Sequence, residues 1–405
     1  MAPEQDAQLR ERFAKARILL RTAAVTGTNG KTTTTSMIAS MIRAAGVLDA
    51  RVTTLGAWVG DEPIHTPQRQ LELLATVERT LQRGGRLLAL EATSLALANG
   101  FAQRWPADVA VLTNLTHDHL DVHGSPEAYL AAKAQLFVHL REGGSAVFNA
   151  DDPSSALVAE VTRAGTSHLH FAVDAAHADL RALTIEVSAE GTRVTLAPSP
   201  LAAALGHTLT TRAIGRVHAQ NVMAAALAAH ALGLDADAIQ AGARRFVGVP
   251  GRFELVGTAP LVVVDYAHTP DALRQTLETA RAIAPRGELI LVFGCGGERD
   301  LDKRPMMGAI ADAHADRVLL TSDNPRGEDP EAIADAIVSG SRASALWSRQ
   351  LDRRAAIAAA IQAARPEDIV VIAGRGHEAH QVIAGRQVAL LDAECARDAL
   401  ALRDG

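Results

Sequence analysis

From residue 18 onward the chain alternates short apolar runs with longer stretches of helical period. ILLRTAAV (18–25) reads as a buried strand, since it is continuously apolar and too short for a helix. It runs straight into TGTNGKTTTT (26–35), and TTTTSMIASMIRAAG then predicts a helix that stops at Gly46. RLLALE (86–91) and DVAVLTN (108–114) are further strands, each ending in polar residues before a helical pattern. Around 180–197 the period changes. LRALTIEVSAEGTRVTLAP alternates about a Glu-Gly turn and predicts a hairpin in a small antiparallel sheet. NVMAAALAAHALG is helical again. VGVPGRFE (247–254) places Gly and Pro together, which marks a hinge between domains 1–247 and 248–405. Beyond it LVVVDYAH, ELILVFGCGG, RVLLTSDNP and DIVVIAGRGHE resume the strand–helix alternation of a second parallel α/β unit.

Composition narrows the class. At about 100–200 residues per domain, the 405 residues allow two or three domains. Apolar residues are 48% and aromatics only 3%, so the cores must be built of Ala, Leu, Val and Ile. A formal charge of -6 argues against a general nucleic-acid binder. No apolar run reaches the ~18 residues of a membrane span. MAPEQDAQLRERFAKAR is charged, with no apolar signal-peptide core. Cys295 and Cys395 are too few for a disulfide framework or a tetrahedral zinc site, and a reducing cytoplasm fits.

The strand–loop–helix at 18–46 is the setting a phosphate loop needs. Gly27 and Gly30 let backbone N–H groups approach phosphate oxygens, Lys31 supplies a point charge, and the Thr32 hydroxyl can ligate Mg²⁺. The common P-loop spacing would require Gly at position 25, where this chain has Val25. Glu91 and Asn114 fall at strand ends, where open parallel sheets bind ligands. NLTHDHLDVHG (114–124) gathers His117, His119 and His123 with Asp118 and Asp121, yet it lacks the spacing of a zinc motif. Lys133, in YLAAKAQLF, reads as a solvated lysine on an Ala-rich helix. In the second half Asp265 follows a strand, as a ribose-holding carboxylate does. Arg299 and Arg326 with Glu378 could clamp a zwitterion, or could be surface ion pairs.

Taken together, TGTNGKTTTT, TNLTHDHLDVHG, YLAAKAQLF, VPGRFE, DYAHTPDAL, GCGGERDLDKRP, TSDNPRGEDP and GRGHE resemble the Mur ligases, and within them the MurE type, the UDP-N-acetylmuramoyl-tripeptide synthetases. The resemblance runs in family order from about residue 22 to 381. It implies a P-loop-type central ATPase domain with a parallel sheet and a small antiparallel subsheet, then a Rossmann-like C-terminal α/β domain. It implies an ATP-dependent ligase that makes an acyl phosphate, captures it with an amino acid's amine, and releases ADP and phosphate. By resemblance Gly27, Thr28, Asn29, Gly30, Lys31, Thr32 and Thr33 form the nucleotide loop. Thr32 and Glu91 hold one Mg²⁺, while His119 and a carbamylated Lys133 help to hold a second. Asn221 approaches adenine, Arg252 the phosphates and Asp265 the ribose. Thr66, Thr93, Ser94 and His268 match substrate contacts. Arg299, Asp323, Asn324, Arg326, Gly374 and Glu378 match the amino-acid pocket, and DNPR resembles the diaminopimelate version. Folylpolyglutamate and cyanophycin synthetases share the ATPase plan, but DNPR and GRGHE point away from both.

Several positions depart from the family pattern. His65 stands for the first Thr of T-T-P, and Leu95 for the His of E-x-S-S-H. His218 stands for the first Asn of N-x-x-N, and Arg375 for the Lys of G-K-G-H-E. The phosphate loop begins at residue 26, so the expectation is a chain without the family's N-terminal UDP-binding domain, a grip that a partner protein could supply. The acceptor carboxylate is left open between a UDP-muramyl dipeptide and another peptide or small acid. A non-catalytic relative with a regulatory role is the reading from a different class.

Overall fold

The structure is a computed structural model and describes residues 11–14, 16–66, 69–116, 123–342 and 345–404. The chain divides into two compact units, Met1–Glu186 with Glu190–Val247, and Gly248–Gly405 with Val187–Ala189.

In the first unit Arg21–Thr26 is a strand because Thr22 to Thr26 are buried on both faces, as a central parallel strand requires. It begins later than the apolar run suggests. Ile18 and Leu19 belong to a preceding helical segment and are 76% and 54% exposed. On one side Arg21–Thr26 pairs in parallel with Leu87–Glu91, followed by Ala50–Thr53. On the other it pairs with Val109–Leu112, followed by Ser145–Asn149 and Ser167–Ala172. Gly56–Val59 and Glu62–Ile64 complete one edge as antiparallel strands. At the other edge, Phe171↔Leu180 and Ala172↔Arg181 join the sheet to Leu180–Ser188, Gly191–Leu196 and Thr208–Thr211. The hairpin read from the alternation is therefore an extension of one eleven-stranded sheet.

The chain leaves Arg21–Thr26 toward one side of the sheet and later crosses to Val109–Leu112 on the other. This is a topological switch point, and the crevice there opens at the carboxyl ends of the strands. Helix Lys31–Ala44 starts at that crevice. Its Met37, Ile38, Met41 and Ile42 are fully buried, each stabilising the unit by roughly 1.5–3 kcal/mol. A neighbouring helix, Arg216–Ala231, buries a nearly continuous Ala-rich surface from Ala219 to Ala229.

The second unit has a six-stranded sheet in the order Glu254–Thr258, Leu261–Asp265, Ile369–Ala373, Leu289–Phe293, Arg317–Leu320, Leu346–Arg349. Only the first pairing is antiparallel. Leu289–Phe293 and Ile369–Ala373 are wholly buried, which explains their unbroken apolar sequences. DYAH, GCGG, TSDNP and GRGHE all emerge from carboxyl ends of these strands, so one end of the sheet collects the motifs. No described helix is long and apolar enough to cross a membrane.

Candidate active site

The phosphate loop is held from below by the strand beside it. Thr113 Oγ1 donates to Asn29 O at 2.6 Å, and the Asn29 and Thr28 amides donate to Asn114 Oδ1 and O at 2.9 and 2.8 Å. A Cβ at Gly27, where φ is 145°, would sit 1.9 Å from Thr113 Oγ1. Glycine is required there because the loop lies directly on this support. Gly30 caps helix Lys31–Ala44 at φ 83° with no side-chain cap. The helix thus starts with backbone donors that its own cap side chain does not satisfy, which is how a helix receives an anion. Lys31 folds back along the loop, with Nζ 2.7 Å from Thr28 O and 3.1 Å from Gly27 O. Thr33 is buried in the first turn.

Thr32 and Glu91 come together as their positions suggest. Thr32 Oγ1 donates to Glu91 Oε2 at 2.9 Å, and the same oxygen accepts from Thr54 N at 3.0 Å. Thr54 was missed in the sequence. Its signal was a hydroxyl just past the strand Ala50–Thr53, at the same carboxyl end of the sheet. A carboxylate held beside a threonine hydroxyl at a phosphate loop is a suitable oxygen donor set for Mg²⁺. Among the described residues no three His, Cys, Asp or Glu side chains form a metal-binding group. His117, Asp118, His119 and Asp121 lie outside the described residues.

The solvated reading of Lys133 is incorrect. Lys133 is 1% exposed, its Nζ donates to Gly27 O at 2.6 Å, and it lies 4.3 Å from the centre of the Tyr129 ring. Helix Pro126–Val138 buries Tyr129 and Lys133 one turn apart, against the underside of the phosphate loop. The Tyr129 hydroxyl is 3.3 Å from Thr28 Oγ1. His123, at the near end of the same segment, brings Nε2 within 3.0 Å of Ser94 Oγ. Thr93 caps the short helix Ser94–Ala98, accepting from Ala96 N. Leu95 projects outward, 57% exposed. Thr66 is half-buried beside an exposed His65.

Asn221 is 3% exposed and lies behind the loop, with Oδ1 2.5 Å from where a Cβ on Gly30 would be. That oxygen accepts from Thr34 Oγ1 at 3.3 Å, and Nδ2 lies 3.3 Å from His218 Nδ1. Burial pushes the His218 imidazole down to about 4, so it is neutral beside this amide.

In the second unit Asp265 is occupied by its own surroundings. It accepts from Phe253 N at 2.7 Å, Ala267 N at 2.9 Å and Thr276 Oγ1 at 2.9 Å. Arg252 lies 4.1 Å over the Tyr266 ring, and His268 Nδ1 is 2.9 Å from Tyr266 O. The amino-acid motifs assemble around two loops. Asn324 Nδ2 donates to Glu378 Oε2 at 2.8 Å. Arg326 donates to Gly297 O, and a Cβ on Gly296 would lie 3.1 Å from Arg326 Nη1 and 3.7 Å from Arg299 Cγ, so the two arginines flank that glycine. Asp323 is buried, and its Oδ2 would be 2.7 Å from a Cβ on Gly374. Burial, against the opposing pull of Arg353 and Arg375, leaves the Asp323 carboxyl above its usual range. Glu378 is also raised, chiefly by burial. Beneath them Arg353 forks onto Asp392 at 2.8 and 2.7 Å with both side chains at 0% exposure, and Arg375 Nη1 lies 3.6 Å from Asp392 Oδ1. This buried group was not read from the sequence, because its members are scattered over two helices and a loop.

A glycine-rich loop at an uncapped helix start, with a Thr–Glu pair beside it, is the arrangement of a nucleotide-using enzyme. Residues 25–229 match the model of the Mur ligase middle domain, and residues 251–376 that of the Mur ligase glutamate ligase domain. A UDP-N-acetylmuramoyl-L-alanyl-D-glutamate–2,6-diaminopimelate ligase of Synechococcus elongatus is 41% identical over 390 residues, 95% of this chain and 77% of that one. The similarly named protein of Bacillus cereus is 37% identical over 387 residues, 93% of this chain and 77% of that one. A solved structure of a ligase of this name superposes with a TM-score of 0.67 at 35% identity, covering 95% and 79% of the two chains. Mycobacterium tuberculosis folylpolyglutamate synthase, solved with ADP and AMPPCP, shares the fold at a TM-score of 0.73 and 20% identity, over 97% and 95%. The chain belongs to the Mur ligase family, and it is an ATP-dependent, ADP-forming ligase that makes an amide bond.

Proposed function

We propose that this ligase joins a diaminopimelate-type amino acid to the carboxylate of UDP-N-acetylmuramoyl-L-alanyl-D-glutamate in the cytoplasm. The observation that carries the amine half is the grouping of Arg326, Asn324 and Glu378, with Asn324 bonded to Glu378 and the Arg326 charge acting on that carboxylate. Such an amino acid offers a zwitterion at each end. A guanidinium fork suits the distal carboxylate, and Glu378 suits the distal ammonium. The acceptor half rests on the names of relatives that match nearly the whole chain.

The reaction requires two anions to approach, a carboxylate and a triphosphate. Lys31 and the uncapped start of helix Lys31–Ala44 would neutralise charge as the γ-phosphoryl group transfers, which the position of Lys31 along the loop supports. The acceptor carboxylate becomes an acyl phosphate with loss of ADP. The amino acid's amine then attacks the acyl carbon, phosphate leaves and the amine gives up its proton. Thr32 and Glu91 would hold Mg²⁺, which supplies further neutralising charge when bound. Lys133 would carry a carbamate, formed from its neutral amine and carbon dioxide with release of a proton. Its burial beside the loop supports this, since a bare ammonium there would work against cation binding. The test is ADP release measured with the UDP-linked acceptor against meso-diaminopimelate, lysine, ornithine and glutamate. Diaminopimelate should give the highest kcat/KM, and a preference for lysine would contradict the assignment of Arg326.

A further inference from the structure

Past the GRGHE motif the chain forms a small hairpin, His380–Ile383 paired with Arg386–Ala389. Most of it is exposed, and a two-stranded sheet alone is marginal in water. Its hydrogen bonds run instead to the DNPR loop. Gln381, 4% exposed between more open neighbours, donates its amide Nε2 to Ser322 O at 3.3 Å and to Asp323 O. Val382 N donates to Asn324 Oδ1 at 2.8 Å, and the other end of that amide holds Glu378. Arg326 is bracketed on both sides, its N–H donating to Val382 O at 3.0 Å and its carbonyl accepting from Ala384 N at 2.6 Å. Arg326 has φ 53°, a left-handed conformation that a non-glycine residue keeps only when its surroundings impose it. The hairpin imposes it here.

We infer that the hairpin His380–Ala389, anchored by Gln381, is a positioning device that sets amino-acid selectivity by aiming Arg326 and fixing Asn324 against Glu378. Gln381 touches no substrate in this scheme and acts through the DNPR backbone. The inference rests on the reading of that pocket as the amino-acid site. Gln381→Met keeps length and burial while removing the donor. It should raise KM for the amino acid about tenfold, as small displacements of positioning groups do, with KM for ATP unchanged and kcat little affected. Selectivity over lysine should shrink in parallel. Gln381→Glu, which turns an acceptor toward two carbonyl oxygens, should lose more than the Met variant at neutral pH. Unchanged amino-acid KM and selectivity in Gln381→Met would overturn the inference, as would an equal loss for ATP. Should the variants fail to fold, hydrogen exchange on the wild-type enzyme decides. The amides of Arg326, Val382 and Ala384 should slow together when the amino acid is added, and a hairpin indifferent to it while Arg326 responds would count against the device. If the wild type favours another amino acid, the substrate reading fails, and the hairpin is then tested on the amino acid that is used.

Discussion

At the scale of the residue, charge placement dominates. Lys31→Ala removes a cation from the phosphate loop without opening a core, so ADP formation should fall by about a hundredfold or more while the melting temperature holds. A variant that keeps most of its activity would remove the loop from the mechanism. For Lys133, intact-protein mass at mild pH should show one added carbon dioxide. Lys133→Ala should be inactive, with partial recovery when a short carboxylic acid is supplied. Full activity of Lys133→Ala would refute the carbamate. Glu378 makes a prediction about pH. Burial raises its pKa above the ordinary carboxylate range, so the folded state binds the proton more tightly than the unfolded one. Its effect on stability is therefore most favourable in acid and is lost as pH rises from the ordinary carboxylate range through the raised value. Binding an ammonium needs the ionised form. The kcat/KM for the amino acid should accordingly fall as pH drops below the raised value, and Glu378→Gln should remove that limb while raising KM. An identical acid limb in enzyme and variant would show that another group titrates.

At the scale of the element, the buried Arg353–Asp392 pair ties the start of helix Asp392–Asp404 to the start of helix Arg353–Ala363, and Arg353 also donates to Ala373 O at 2.9 Å. Asp392→Asn would leave two buried guanidinium groups short of a counter-charge, and removing one partner of a buried pair costs about 3–5 kcal/mol. Chemical denaturation of the variant should show that loss, and a change below ~1 kcal/mol would mean the pair is no more than a surface bridge in effect. The elements also show what a sequence can tell. The strands ending in Glu91, Asp265 and the DNPR loop were legible, because doubly buried parallel strands are unbroken apolar runs. The start of the first strand was not, since Ile18 and Leu19 are as apolar as the strand itself yet lie exposed on the helical segment before it. The buried state of Lys133 was equally hidden: its Ala-rich helix carries no polar face to show which side meets the phosphate loop.

At the scale of the whole molecule, the first unit carries the glycine-rich loop with Thr32 and Glu91, and the second carries the residues proposed to hold the amino acid. Long motifs made the family and the fold of both units legible, whereas the residues that support these loops were not. Thr54, Thr113, Tyr129 and Gln381 act through hydrogen bonds to residues distant in the chain, Thr54 and Tyr129 to side chains and Thr113 and Gln381 to backbone carbonyls, and no local pattern marks them. If one chain couples ATP cleavage to amide formation with a diamino diacid, both halves of the reaction must appear together. The most direct measurement is ADP release combined with product mass, using ATP, the UDP-linked dipeptide acceptor and each amino acid in turn. ADP formation should depend on both acceptor and amino acid, be fastest with meso-diaminopimelate, and yield a product whose mass equals the two substrates less one water. ADP release without amide product would rule out the coupling, and amide formation that favours lysine would rule out the diamino diacid.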